Sequence, residues 1–288
     1  MDDFTLRLAH LQHCRGVGWK TILTILKADP ELKNLYQDSL RDILFKENFT
    51  SPFIFIDLHS NLIHNQIQRY EQNDIRIITI FDDDYPVLLK ETYQPPWLLY
   101  AKGDISLLNN GIKLAVVGSR QHTEYGENAI NSLFPKIIDK NIIIVSGLAK
   151  GIDAIAHKTA IRLRGKTIGV IAGGLDHIYP ESSKRIADEM MKKHLIISES
   201  SPSTKPERWH FPMRNRVISG ISKGTFIVQA KRKSGSLITA NYAVQEGREV
   251  FALPGSVFSE YSIGTNELIQ QGAKLINSPE DILEELIY

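Results

Sequence analysis

The chain has a single cysteine, Cys14, among 288 residues. One thiol cannot close an intrachain disulfide. A disulfide-stapled scaffold is therefore excluded, and a reducing, cytoplasmic setting is expected. Long apolar runs are also missing, since none approaches the roughly 18 residues that a membrane-spanning helix needs. The start, Met1-Asp2-Asp3-Phe4, has no charged-then-apolar leader pattern. The dinucleotide fingerprint G-x-G-x-x-G and the Gly-Lys-Ser/Thr phosphate loop are both absent. Net charge is scarce as well: 34 Lys+Arg against 33 Asp+Glu leave +1, at face value a poor match for nucleic acid. What remains is ordinary for a soluble globular protein, with 42% hydrophobic and 23% charged residues. The length suits one large domain or two small ones.

The neutral total hides segregation. Residues 1–110 carry 11 basic and 15 acidic side chains, net −4. Residues 111–250 carry 22 basic and 12 acidic, net +10, and residues 251–288 carry one basic and six acidic, net −5. A local field, not the whole-chain sum, steers phosphates. The basic middle is thus either a polyanion site or an ordinary solvated surface.

The first 50 residues read as short helices, with Leu6, Leu8, Leu11 and then Ile22, Leu23, Ile25, Leu26 at helical spacing. Gly16-Val17-Gly18 between them resembles the turn of a helix–hairpin–helix. Such a turn either holds a phosphate or is purely structural. Residues 51–104 are less regular. A strand is expected in residues 75–80 and another in 98–100, with Asp82-Asp83-Asp84 as a solvated turn. From residue 112, continuous apolar runs alternate with helical stretches. Strands are expected at 114–117, 142–145, 167–171, 195–198, 225–228, 249–253 and 274–276. Buried, β-branched strands joined by helices define a doubly wound, mostly parallel α/β sheet. The expected organisation is a helical domain over residues 1–75 and an α/β domain over 76–288.

Ligands in such folds sit at the carboxyl ends of strands. The first strand ends in Gly118-Ser119-Arg120. The second ends in Ser146-Gly147-Leu148-Ala149-Lys150-Gly151, and the third in Gly173-Gly174. Three glycine-bearing loops in register let backbone amides approach an anion. Downstream, Arg208-Trp209-His210-Phe211-Pro212-Met213-Arg214-Asn215-Arg216 gathers arginines around aromatics. Arginine forks onto phosphate and an aromatic ring stacks on a base, which suits a single-stranded polynucleotide. The alternative is that Trp209 and Phe211 are core and that Arg214 and Arg216 form structural ion pairs. Lys231-Arg232-Lys233-Ser234-Gly235-Ser236 is a further anion-ready helix start, or simply a cap.

These runs resemble the DprA (Smf) DNA-processing family. The likeness extends to Gly174-Leu175-Asp176 with Tyr179-Pro180, to residues 234–240 and to Val250-Phe251-Ala252-Leu253-Pro254-Gly255, about residues 76–277 in all. It implies an extended Rossmann-like domain that binds single-stranded DNA without strong sequence preference and forms a homodimer. It also implies loading of the recombinase RecA during natural transformation, with no cofactor and no catalytic group. The helical N-terminus is similar to the sterile-alpha-motif-like domain of some members. Carried over by motif, Arg120 of Gly118-Ser119-Arg120 holds phosphate, and Ser146 and Gly147 offer donors; Gly118, Ser119, Lys150, Gly151, Lys184 and Lys231 are expected to belong to the same DNA site. Arg208 stands where the family often places a cation. Phe211 stacks on a base, and Arg214, Asn215 and Arg216 shape the pocket and contact the DNA backbone. Glu181 follows Tyr179-Pro180 where some relatives carry Lys. The winged helix that many members carry after the last strand is not expected in this form.

Rival readings are an enzyme or a small-nucleotide sensor. Phosphoribohydrolases use similar strand ends, but their Pro-Gly-Gly-x-Gly-Thr loop is absent. Ser146, Asp153 and His157 suggest a hydrolase, yet no G-x-S-x-G elbow is present. His10, His13 and Cys14 lack a second ligand pair for zinc.

Overall fold

The computed structural model describes residues 1–46 and 52–287. The chain divides into two compact units, Met1–Asp82 with Pro96–Tyr100 and Asp83–Pro95 with Ala101–Tyr288.

The first unit is mainly helical: α1 (Asp3–His13), α2 (Trp19–Ala28), α3 (Ser39–Lys46), α4 (Phe53–Leu58) and α5 (Asn61–Gln72), followed by β1 (Arg76–Thr79). Asp2 caps α1, its carboxylate accepting the Thr5 amide at 2.9 Å. Gly16 takes a left-handed φ of 81° in the turn before α2. The helices α4 and α5 fall in the stretch whose pattern read as irregular. Only Ile67 and Tyr70 of α5 are buried, and two apolar positions in twelve give too weak a period.

In the second unit come α6 (Val87–Lys90), the end of β2 (Leu98–Gly103), β3 (Lys113–Val117), α7 (Glu124–Asp139), β4 (Ile143–Ser146) and α8 (Ile152–Arg162). They are followed by β5 (Thr167–Val170), α9 (Lys184–Lys193), β6 (Leu195–Ser198), α10 (His210–Gly220) and β7 (Gly224–Ile227). The last elements are α11 (Gly235–Gln245), β8 (Glu249–Ala252), α12 (Ile263–Gln270), β9 (Lys274–Leu275) and α13 (Pro279–Ile287). The strands from β3 onward lie in the order β6-β5-β4-β3-β7-β8-β9, every pair parallel. This is a Rossmann-like, doubly wound α/β fold. All seven expected strands are present, with ends shifted by a residue or two.

Strands β3 to β7 are buried along their whole length, as a sheet covered on both faces requires. Ile130, Phe134 and Ile137 of α7, Ile152 and Ala156 of α8, and Ile282 of α13 pack with Leu114, Val116, Phe226 and Phe251 in one core. Helices α10 and α11 stand outside that cluster; they pack on each other, and α11 also lies against β7 and β8.

Candidate nucleic-acid interface

The strand order reverses at β3: β4 to β6 run out on one side, β7 to β9 on the other. A reversal opens a crevice at the carboxyl ends of the two central strands. A cleft of about 510 Å³ lies there. It is lined by residues 117–121 after β3, by Lys231, Lys233, Ser234, Gly235 and Thr239 after β7, and by Phe211, Arg214 and Asn215 of α10. A smaller cavity of about 110 Å³ adjoins it, lined by Gly147, Lys150 and Tyr179 and again by Arg120, Phe211 and Arg214.

Arg120 and Phe211 form the wall between the two. The exposed Arg120 guanidinium carbon lies 5.3 Å from the Phe211 ring centroid, a cation–π contact. Tyr179 meets the same ring edge-on, centroids 5.9 Å apart. Phe211 is therefore half-buried and held on two sides, not part of the core.

The two arginines further along α10 are placed differently. Arg214 is 7% exposed, and its Nη1 donates to the Gly147 carbonyl and, at 2.5 Å, to the Val170 carbonyl. It ties the tips of β4 and β5 to α10. Burial brings its pKa down to about 10, so it stays charged at neutral pH. Asp153 supplies counter-charge. Its Oδ2 accepts the Gly147 amide at 3.2 Å, and burial pushes its pKa up while Arg214 opposes that rise. Arg216 is buried in an ion pair with Glu199 and donates to the Gln94 carbonyl at 3.1 Å. It lines neither cavity, and its fork is committed to protein. The direct strand contact expected of Arg216 is thus replaced by a structural ion pair. Arg214 reaches the cavity walls only from within. Asn215 lines the cleft and donates to the Gly235 carbonyl at 3.3 Å.

Three of the loop amides expected to face an anion are engaged within the protein. The Ser119 amide donates to Gln229 O at 2.8 Å, and the Gly174 amide to Thr204 O at 2.8 Å. The Gly147 amide is taken by Asp153. These glycines make room for neighbours. A Cβ on Gly147 would stand 2.0 Å from Arg214 Nη1, and one on Gly151, at φ +80°, 2.3 Å from the Ser119 carbonyl. Ser146 is fully buried, and its hydroxyl donates to Val116 O at 2.6 Å, so it offers no donor outward.

The remaining cations sort by exposure. Arg120 and Lys150 are exposed at the cavities, as is Lys233, which charge patterning around Lys231 pointed to but did not single out. Lys231 lines the cleft but pairs with Glu260 at 2.9 Å and lies over Tyr261. Lys184 is exposed, pairs with Glu181 at 3.7 Å and lines neither cavity. Arg208 is exposed just before α10 and lines neither cavity. Tyr179 was missed as a site residue; its signal was an aromatic in the loop after the third strand of the α/β run.

The rival chemistries meet specific obstacles. Asp153 serves Gly147, the Ser146 hydroxyl serves Val116, and His157 Nδ1 donates to Thr167 Oγ1 at 2.7 Å. Each member of the would-be triad is engaged elsewhere. His10 Nε2 donates to Asp57 O at 3.0 Å and His13 Nδ1 to Ala9 O at 2.7 Å. Burial pushes the Cys14 thiol up to about 12, far from a zinc-binding thiolate.

Fold and site define a class: a Rossmann-like α/β protein whose strand-end crevice is walled by an arginine–aromatic stack and fringed with cations. The chain belongs to the DNA recombination-mediator protein A family, whose sequence model matches residues 76–287. It is 46% identical over 268 residues to the DNA processing protein DprA of Bacillus subtilis, covering 93% of this chain and 88% of that one. Identity to DprA of Streptococcus pneumoniae is 41% over 262 residues, covering 91% and 92%. The crystal structure of the S. pneumoniae protein superposes with a TM-score of 0.84 at 38% identity, over 100% of both chains. DNA processing protein A from Helicobacter pylori, whose structure addresses its single-stranded DNA binding mode, superposes with a TM-score of 0.67 at 31% identity, over 74% of this chain and 95% of that one.

Proposed function

We propose that this protein binds single-stranded DNA without sequence preference in the cleft at the ends of β3 and β7. The observation that carries the reading is the Arg120–Phe211 wall. An exposed guanidinium stacked on a held, half-buried ring offers one group to phosphate and an adjacent aromatic to a base. Flat stacking and charge accept any base, and no array of side chains that would read base edges is needed. That the H. pylori relative's structure concerns its binding of single-stranded DNA supports the single-strand part of this reading. The protein acts as a binder and not an enzyme, with neither cofactor nor metal. Family membership supports the next step: the bound strand is protected and passed to a RecA-type recombinase during natural transformation, in the cytoplasm, by a homodimer formed through the second unit.

Salt-dependent binding of single- and double-stranded oligonucleotides tests the core of this. Oligo-dT should bind, with affinity falling steeply as salt rises. Phe211→Ala should weaken it by roughly 1–3 kcal/mol, the worth of one base–aromatic stack. Binding of a mononucleotide without binding of oligo-dT at low salt would sink the reading. Recombinase loading is checked by RecA filament formation on DNA covered by single-strand-binding protein, and the dimer by sedimentation equilibrium.

A further inference from the structure

Three tryptophans occur in the chain. Trp19 and Trp97 lie flat on each other, centroids 5.1 Å apart, and Trp97 is buried. Trp209 differs, being 60% exposed. Yet it is not loose. One face of the indole lies on the His210 ring, with centroids 3.7 Å apart and planes inclined by 28°. Its Nε1 donates to the Glu207 carboxylate at 2.8 Å. His210 is itself buried and anchored, its Nδ1 accepting the Glu207 amide at 2.9 Å. The ring is thus pinned along one edge and across one face, while the other face is left to water.

Leaving the largest aromatic side chain in water forgoes burial energy, and fixing its rotamer costs entropy. A structural role would turn the open face inward. A rigid, open indole face has a direct use, because any nucleobase stacks on it without readout. Trp209 stands two residues before Phe211. Exposed cations, Lys205 and Arg208, lie on the same segment, where they suit a phosphate chain. The Glu207 carboxylate accepts from the indole edge, not from its face.

We propose that Trp209 is a second base-stacking platform, taking an unpaired base of the same strand whose neighbour is received at the Arg120–Phe211 wall. The inference rests on the single-strand reading above and extends the site beyond the cleft. Tryptophan emission under titration with oligo-dT tests it. Emission of the wild-type protein should fall on binding, since a stacked base quenches the indole. Trp209→Phe should keep affinity within about 3-fold while abolishing the fall, and Trp209→Leu should weaken binding roughly 5- to 150-fold. A melting curve shows whether each variant is folded, and the wild-type titration stands without any variant. Unchanged wild-type emission at saturating oligo-dT, or unchanged affinity of a folded Trp209→Leu protein, overturns the platform. If in that case Phe211→Ala still weakens binding, the cleft survives alone. If wild-type protein fails to bind oligo-dT, both readings fall together.

Discussion

Gly147→Ala probes the joint between α10 and the strand ends. The added Cβ would lie 2.0 Å from Arg214 Nη1, 2.4 Å from Cζ and 2.6 Å from Nη2. Ordinary carbon contacts begin near 3.5 Å, so the nearest guanidinium nitrogen must retreat by about 1.5 Å. In an exposed arginine that shift is cheap. Here the fork is buried and donates to the Gly147 and Val170 carbonyls. A retreat of that size breaks both bonds and leaves a buried cation under-solvated. Hydrogen bonds to charged groups contribute about 1.5–3 kcal/mol each, so losing both should cost about 3–6 kcal/mol. Urea unfolding followed by circular dichroism reads this directly. The cycle with Arg214→Met isolates the cause: in that background the alanine meets no guanidinium, and its cost should drop below about 1 kcal/mol. Equal cost of Gly147→Ala in both backgrounds would refute the reasoning, because the clash would then not be with Arg214.

Gly151→Ala meets backbone instead, the Ser119 and Arg120 carbonyls at 2.3 and 2.7 Å and a φ of +80°, so it cannot be relieved by a rotamer. It should melt lower than Gly147→Ala in the same thermal scan and weaken DNA binding by displacing Arg120. Salt titrations separate the cations: Arg120→Ala and Lys150→Ala should each flatten the slope of log affinity against log salt by about 0.7, while Lys184→Ala, off both cavities, should leave it unchanged. Burial holds His157 at about 3, below its ordinary value near 6.5. Between these values the unfolded chain binds a proton that the native one does not, so stability falls as pH drops through that window, by about 1.4 kcal/mol per unit, and is flat above it. His157→Gln should make urea midpoints less sensitive to pH between neutrality and pH 4; an unchanged sensitivity would place the acid lability in other histidines.

Much of the α/β unit was legible because its signals are local. Continuous β-branched runs such as Leu114-Ala115-Val116-Val117 can only be satisfied between two layers, and the glycine breaks mark strand ends. The helices α4 and α5 were not legible, since Ile67 and Tyr70 are too few to set a period. The arginine–aromatic run 208–216 allowed two readings, core or site, and the structure divides it. Phe211 stands half-exposed against Arg120, Trp209 is open to solvent, and Arg216 is consumed by Glu199.

By itself the sequence determined the parallel sheet, the placement of ligand chemistry at strand ends and the basic character of residues 111–250 hidden beneath a total of +1. Those follow from hydrophobic period, turn residues and charge counts, all properties of neighbours along the chain. Only the tertiary structure decided which groups face the cleft. Arg120 and Phe211 are 91 positions apart in the numbering and meet only because β3 ends and α10 begins at the same crevice. The glycines look alike in sequence whether they open a loop to phosphate or make room for Arg214. What lies across from each missing Cβ is a long-range contact, and long-range contacts are what folding supplies.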